Sequence, residues 1–166
     1  NIRRMKKIKN KKGLIVSYVH NQVCEGMGKI GVLVSLESDS DREQLKDLGK
    51  KIAMHVAATN PISIDISEIP EETLEREKKV LSEEARSSGK SKDIVEKMTE
   101  GRLRKFYEEN VLLKQTFVID GESKVESILN SLDSSVVIKE FVRMELGEGL
   151  VKNKEGFSEE VSSLLS

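Results

Sequence analysis

Apolar and polar positions change their period several times along the chain, and each change marks an element. Leu14-Ile15-Val16-Ser17-Tyr18-Val19 is β-branched and aromatic and predicts a strand. Asn21 to Gly28 is polar with two glycines and reads as a hairpin loop, and Lys29 to Leu36 predicts the second strand. Gly31 inside that strand weakens it unless another backbone comes close. Ser38-Asp39-Ser40-Asp41 offers short acceptor side chains that cap a following helix. In that helix Leu45, Leu48, Ile52 and Val56 fall three and four apart on one stripe. Ala53, Ala57 and Ala58 let it lie close to a sheet, and Pro61 stops it.

The next stretch has a different texture. Residues 71–110 hold eleven acids and ten bases, no proline, and only Gly89 and Gly101. Leu74, Leu81 and Ala85 form a thin stripe on one helix, and Ile94, Val95, Met98 and Phe106 on a second. Ser87 to Ser91 reads as the turn between them, with Gly89 able to go left-handed and Ser91 able to cap. Two such helices make an antiparallel hairpin. A stripe this narrow buries little, so the hairpin is expected to project and to need a partner, a second copy being the simplest.

Beyond it, Thr116 to Ile119 is an extended apolar piece ending at the turn signal Asp120-Gly121. Ser123 is placed to cap a short helix bearing Val125, Ile128, Leu129 and Leu132. Val136 to Leu146 predicts a long strand, with Val137, Phe141 and Val142 inward and Lys139, Glu140, Arg143 and Glu145 outward. Phe157, Val161, Leu164 and Leu165 are at helical spacing in the tail, 151–166, which reads either as an amphipathic helix offering a face to a partner or to the missing part of the chain, or as a plain frayed helix. The fold class is α+β. A core of residues 1–70 and 111–150 carries a three-stranded antiparallel sheet with helices, and an antiparallel helical hairpin is inserted at 71–110.

At 166 residues and 18.6 kDa the chain suits one domain, or one domain with an appendage. It is 37% hydrophobic and 34% charged, enough for a folded core. Aromatics are only 4% with no Trp, which argues against platforms for stacked bases or sugars. One cysteine, Cys24, and two histidines exclude an internal disulfide, a multi-cysteine zinc site and a His-rich metal centre. No apolar run approaches the ~20 residues that span a bilayer. The opening Asn1-Ile2-Arg3-Arg4 is neither an initiator Met nor a signal peptide, so a piece of a longer chain is expected.

Charge is uneven. The first twelve residues hold seven bases and no acid, leaving 21 bases against 29 acids in the remainder. Such a block suits nucleic acid or an acidic protein surface. The plain alternative is a solvated edge strand or frayed terminus, which the acidic remainder favours, since a general nucleic-acid binder is basic over its binding face.

No catalytic constellation is present: no Gly-x-x-x-x-Gly-Lys, Gly-x-Ser-x-Gly or His-Glu-x-x-His. Cys24 has only His20 nearby as a base, and that spacing is ordinarily accidental. His55, three residues from Ile52, reads as a partly buried packing residue. His20 ends a strand and projects outward.

Four stretches taken together resemble the second half of the bacterial elongation factor Ts family. They are Asn1-Ile2-Arg3-Arg4; Ser17-Tyr18-Val19-His20 with Gly31-Val32-Leu33-Val34; Ile52 to Ala58 leading to Pro61; and Glu100 to Phe106. Glu145-Leu146-Gly147-Glu148-Gly149 is similar too, and the match runs over residues 1–150. The resemblance implies a cytoplasmic translation factor, not an enzyme, that uses no cofactor. It implies binding to elongation factor Tu carrying GDP and loss of the nucleotide. His20 matches the histidine the family places beside its partner's nucleotide domain, with Tyr18, Asn21 and Gly31 at or near that contact. Leu74, Leu81, Ile94 and Met98 fall on the arm used for dimerisation or partner contact. No direct contact with nucleic acid or membrane is expected. Two departures stand out. The loop 21–28 is longer than the family's turn, and the family's Thr-Asp-Phe-Val motif, which helps dislodge the partner's magnesium ion, does not occur here. Glu37 to Asp41 takes the corresponding place without an aromatic, so this stretch alone is expected to bind weakly and exchange poorly. The rival classes are an RNA-associated module using residues 3–12 and a purely structural dimerisation module.

Overall fold

A computed structural model describes residues 2–39, 41–87 and 91–150. The tail at 151–166, the turn at 88–90 and the side chain of Ala85 lie outside the described residues. The described architecture is α+β, with a three-stranded antiparallel sheet in the order β1-β2-β3.

Strands β1 (Leu14–Cys24) and β2 (Met27–Glu37) pair from Leu14 opposite Leu36 to Cys24 opposite Met27. The expected loop at 21–28 is therefore mostly strand. Polar side chains do not prevent main-chain pairing, and only Glu25-Gly26 is left to turn, with Gly26 at φ 73. Val23 is the extra residue of a bulge between Gln22 and Cys24. The long loop that set this chain apart from the family's pattern is not there.

Strand β3 (Val137–Glu145) pairs with β2, and its register breaks between Ser35 and Leu36, so that Lys139 is unopposed. That bulge turns the expected facing around. Ile138 points into the core at 5% exposure and Val137 outward at 48%. Past the bulge Phe141 stands opposite Val34, and Arg143 opposite Val32 on the core face rather than in solvent. Val142 shares the opposite face with Glu140.

Helix α1 (Arg42–Thr59) covers the core face. The Asp41 carboxylate accepts hydrogen bonds from the amides of Glu43 (2.9 Å) and Gln44 (3.2 Å), and Asn60 at φ 48 ends the helix before Pro61. Leu45, Leu48, Ile52 and Val56 are all buried against Val32, Val34 and Leu36. The closest approach is made by Gly49: a Cβ there would lie 2.6 Å from a Val16 methyl. Ala53 and Ala57 are buried as expected, and Ala58 is exposed.

Helices α2 (Glu71–Ser87) and α3 (Lys92–Asn110) pack on each other. Ser91 stands at the α3 cap position without a side-chain capping bond. The chain entering this insertion and the chain leaving it run side by side. Ile62 N–H donates to Asn110 O, Leu112 N–H to Ser63 O and Leu113 N–H to Ile64 O, at 2.9–3.1 Å. Helix α4 (Val125–Leu132) starts without the expected Ser123 side-chain cap. The Ser123 carbonyl instead accepts from Phe117 N–H at 2.7 Å, and Thr116 to Ile119 leads into the turn, with Thr116 in an isolated antiparallel bridge to Lys124.

His55 is fully buried, beyond the partial burial expected. Its Nε2 donates to Gln115 Oε1 at 2.9 Å, and its Nδ1 accepts from Val118 N–H at 3.2 Å. Gln115, also buried, accepts from the Thr59 hydroxyl and donates its Nε2–H to Glu109 O at 2.7 Å. Both ring nitrogens are satisfied only in the neutral form. Burial pushes this imidazole below the ordinary 6.5, against a smaller upward pull from Gln115. The folded state thus binds fewer protons than the unfolded one. Its stability is full above pH 6.5 and falls as the pH drops below it. Urea unfolding of the chain at pH 7.5 and 5.0 is expected to show this loss, and His55→Gln to flatten it. His55→Ala is expected to cost on the order of 3 kcal/mol at pH 7.5, from a cavity plus orphaned Gln115 and Val118 groups.

Candidate functional site

Alternation along β1 and β2 puts Val16, Tyr18 and His20 on the core face with Ile30, Val32 and Val34. Helix α1 covers the first part of that face and ends at Thr59, leaving the hairpin end open. The result is a groove of 520 Å³ walled by Tyr18, His20, Ile30 and Arg143 from the sheet, by Met54, Ala57 and Ala58 from the helix, and by Val118 and Ile119.

His20 is exposed, and its Nδ1 lies 3.0 Å from the Tyr18 hydroxyl, with the rings 6.0 Å apart. That bond occupies Nδ1 and leaves Nε2 of the exposed ring for a partner. The hydrogen bond also restricts the ring, which lowers the entropy lost when a partner is gripped. Apolar side chains crowd the rim: Met54, Val118 and Ile119 are 42–48% exposed. Val118 and Ile119 sit in the turn that His55 holds through the Val118 amide.

Arg143 fixes the far wall. Its side chain is only 10% exposed, donating Nε–H to Ala57 O at 3.2 Å and Nη2–H to the Glu145 carboxylate at 2.9 Å. Ala57 is in the last turn of α1, where carbonyls lack helical partners and a cation is favoured. Sequence reading placed Arg143 outward because an unseen bulge shifted the alternation. Only that bulge brings it here.

Of the residues expected to meet a partner, Tyr18, His20 and the following Asn21 lie at one place. Asn21 is exposed at φ 50, beside the β1 bulge. Gly31 is elsewhere, on the opposite face of the sheet, near Arg4 and Met144. A Cβ at Gly31 would meet nothing within 4 Å, so no close backbone explains this glycine. On α2 and α3, Leu74, Leu81 and Met98 are half-buried, Ile94 is 48% exposed, and Val95 at 9% is the one buried residue among the described side chains of α3. Ile30, Met54, Val118, Ile119 and Arg143 were missed as site residues. Exposed apolar residues beside a turn signal are the only hint the sequence gave of two of them. Among the described residues, no group of His, Cys, Asp and Glu is arranged to hold a metal ion, and no helix is long and apolar enough to cross a membrane.

Comparison with known proteins gives one consistent answer. The family model described as "Elongation factor TS" matches residues 1–148. The elongation factor Ts of Rhodospirillum rubrum is 49% identical over 168 residues, covering 99% of this chain and 54% of that protein. That of Gluconobacter oxydans is 48% identical, covering 98% and 53%, and that of Caulobacter vibrioides 46%, covering 98% and 54%. The chain spans about half the length of the curated relatives it matches.

Two substitutions separate folding from display at this site. Tyr18→Phe is expected to leave the thermal midpoint within about 2 °C, since only a half-exposed hydroxyl is lost. It is also expected to move the His20 imidazole nitrogen resonances, which report release of Nδ1. Gly31→Ala is expected to stabilise the chain by about 0.5–1 kcal/mol in urea unfolding, because the methyl enters open space on a strand.

Proposed function

Because the chain belongs to the elongation factor Ts family, we propose that it is the partner-gripping part of a guanine-nucleotide exchange factor of translation. Its partner is elongation factor Tu with GDP bound, and it acts in the cytoplasm. Exchange needs no reaction centre. A protein that binds the nucleotide-free partner more tightly than the GDP-bound one must, by linkage, weaken the hold on GDP by the same factor. A tenfold preference corresponds to about 1.4 kcal/mol of differential contact.

The observation that carries this reading is the Tyr18–His20 pair, which lies within the stretch matched by the family model and is displayed at the open end of the sheet. Beside it is a groove with apolar rims and one imidazole held by a hydrogen bond. A pocket of this kind suits a side chain from a folded partner, with His20 as a central anchor. Aromatic and Arg residues flanked by apolar rims are the usual anchors of such contacts. The core, 1–70 and 111–150, presents this groove, while α2 and α3 serve as an arm offered to the same partner or to a second copy of the chain. The tight arrangement of 62–64 against 110–113 supports that division, since it closes the core independently of the arm.

Stopped-flow loss of fluorescent GDP from elongation factor Tu tests the proposal, run with this chain and with a full-length protein containing it. His20→Ala is expected to slow release about ten-fold, on the order of 1–2 kcal/mol for one well-placed contact. An unchanged rate removes His20 from the site. No detectable complex between the full-length protein and elongation factor Tu overturns the reading as a whole.

A further inference from the structure

We propose that residues 3–11 are a rigid cationic strap that binds the phosphate backbone of single-stranded RNA without regard to sequence. The strap lies on the sheet face opposite α1, and its contacts fall on alternate residues. Arg4 donates to the Glu148 carboxylate at 2.9 Å and to Glu145 O at 3.3 Å, and Lys6 pairs with Glu140 at 3.8 Å. Ile8 is 8% exposed. The Asn10 amide donates to the Ser35 hydroxyl at 2.9 Å and to Leu36 O at 3.1 Å. From Arg4 to Asn10 the contacts advance from Glu145, which stands opposite Ile30, to Leu36. Six residues of strap cover six of β2, so the strap runs extended.

The intervening residues point away. Met5 is 84% exposed, and Arg3, Lys7, Lys9 and Lys11 are exposed with no ion pair among the described residues. Extended chain rises about 3.3–3.6 Å per residue, so Lys7 and Lys9 stand roughly 7 Å apart and Arg3 roughly 14 Å before Lys7; Lys11 follows at a bend, where the Lys12 amide donates to Asn10 Oδ1 at 2.9 Å. Of the acids nearest the strap, Glu148 and Glu140 pair with Arg4 and Lys6, while Glu145 and Glu37 pair with Arg143 and Lys139. The Glu148 carboxyl is held below its usual range by the Arg4 hydrogen bond first and the Glu145 amide second.

The shape of this charge selects the ligand. A broad anionic surface, whether a membrane or an acidic protein face, would also meet the remainder of the chain, where acids outnumber bases 29 to 21. A narrow linear polyanion meets the strap's exposed cations alone. The strap holds no aromatic, so bases are not stacked and the contact is to the backbone only. This sets aside the expectation that no nucleic acid is touched directly, and it is independent of the exchange reading.

The test is fluorescence anisotropy of labelled 20-mer RNAs, oligo(U) and a mixed sequence, titrated with the whole chain at ~50–200 mM salt. Four phosphate contacts on a single strand predict a log–log salt slope of about −2.8, or a loss of about 50-fold over that range. Both RNAs are expected to bind within about three-fold of each other. Lys7→Gln, Lys9→Gln and Lys11→Gln combined are expected to bring the slope to about −0.7, with an unchanged circular dichroism spectrum because the side chains are exposed. The charge-matched set Arg42→Gln, Lys46→Gln and Lys50→Gln, on the exposed side of α1, is expected to leave affinity within two-fold. No binding at the lowest salt, equal losses in the two variant sets, or capture by phosphatidylserine vesicles without RNA binding would each overturn the assignment.

Discussion

The His55–Gln115 hydrogen bond is the constraint on which the arrangement of the core depends. Gln115 takes the imidazole N–H and the Thr59 hydroxyl on its oxygen, gives its amide hydrogen to Glu109 O, and accepts Val125 N–H on its own carbonyl. One residue thus joins the end of α1, the end of α3 and the start of α4. On the other side of the ring, Nδ1 receives the Val118 amide. In a fully buried place each of these bonds is made at little net gain, but losing one orphans a group at a cost of about 1–3 kcal/mol. The network therefore specifies one arrangement more than it adds stability.

That specificity reaches the surface. The turn at Val118 and Ile119 forms one wall of the groove, Arg143 another, and Tyr18 with His20 the third. Each wall is held by an independent device: a buried imidazole, a guanidinium on the last turn of a helix, and a phenol–imidazole bond. A partner meeting preformed walls loses less of its binding free energy to ordering them.

The sheet divides the molecule's two kinds of surface. On one face α1 packs so closely that Gly49 cannot be replaced by a larger residue without displacing Val16. On the other lies a charged strap anchored by one apolar residue and a few polar contacts. The apolar face supplies stability and frames the groove; the strap face supplies little stability and a set of exposed cations that have no ion pair among the described residues. Helices α2 and α3 are inserted between segments that pair with each other, since residues 62–64 hydrogen-bond to 110–113 before and after them.

Local patterning by itself determined the strands around Val16 and Val32, the stripe on α1 with its Asp41 cap and its stop before Pro61, and the two charged helices of the arm. Each follows from side-chain period and capping chemistry that act within a few residues. The motif run from Ser17 to His20 also marked the exposed histidine. Tertiary structure decided what depends on groups far apart in the chain. The hairpin tip became strand because main-chain pairing ignores polar side chains. A single unopposed residue, Lys139, turned Arg143 from solvent to the end of α1. His55 became a fully buried node because Gln115 lies sixty residues on, and a hydrogen-bond partner at that distance leaves no trace in any local period.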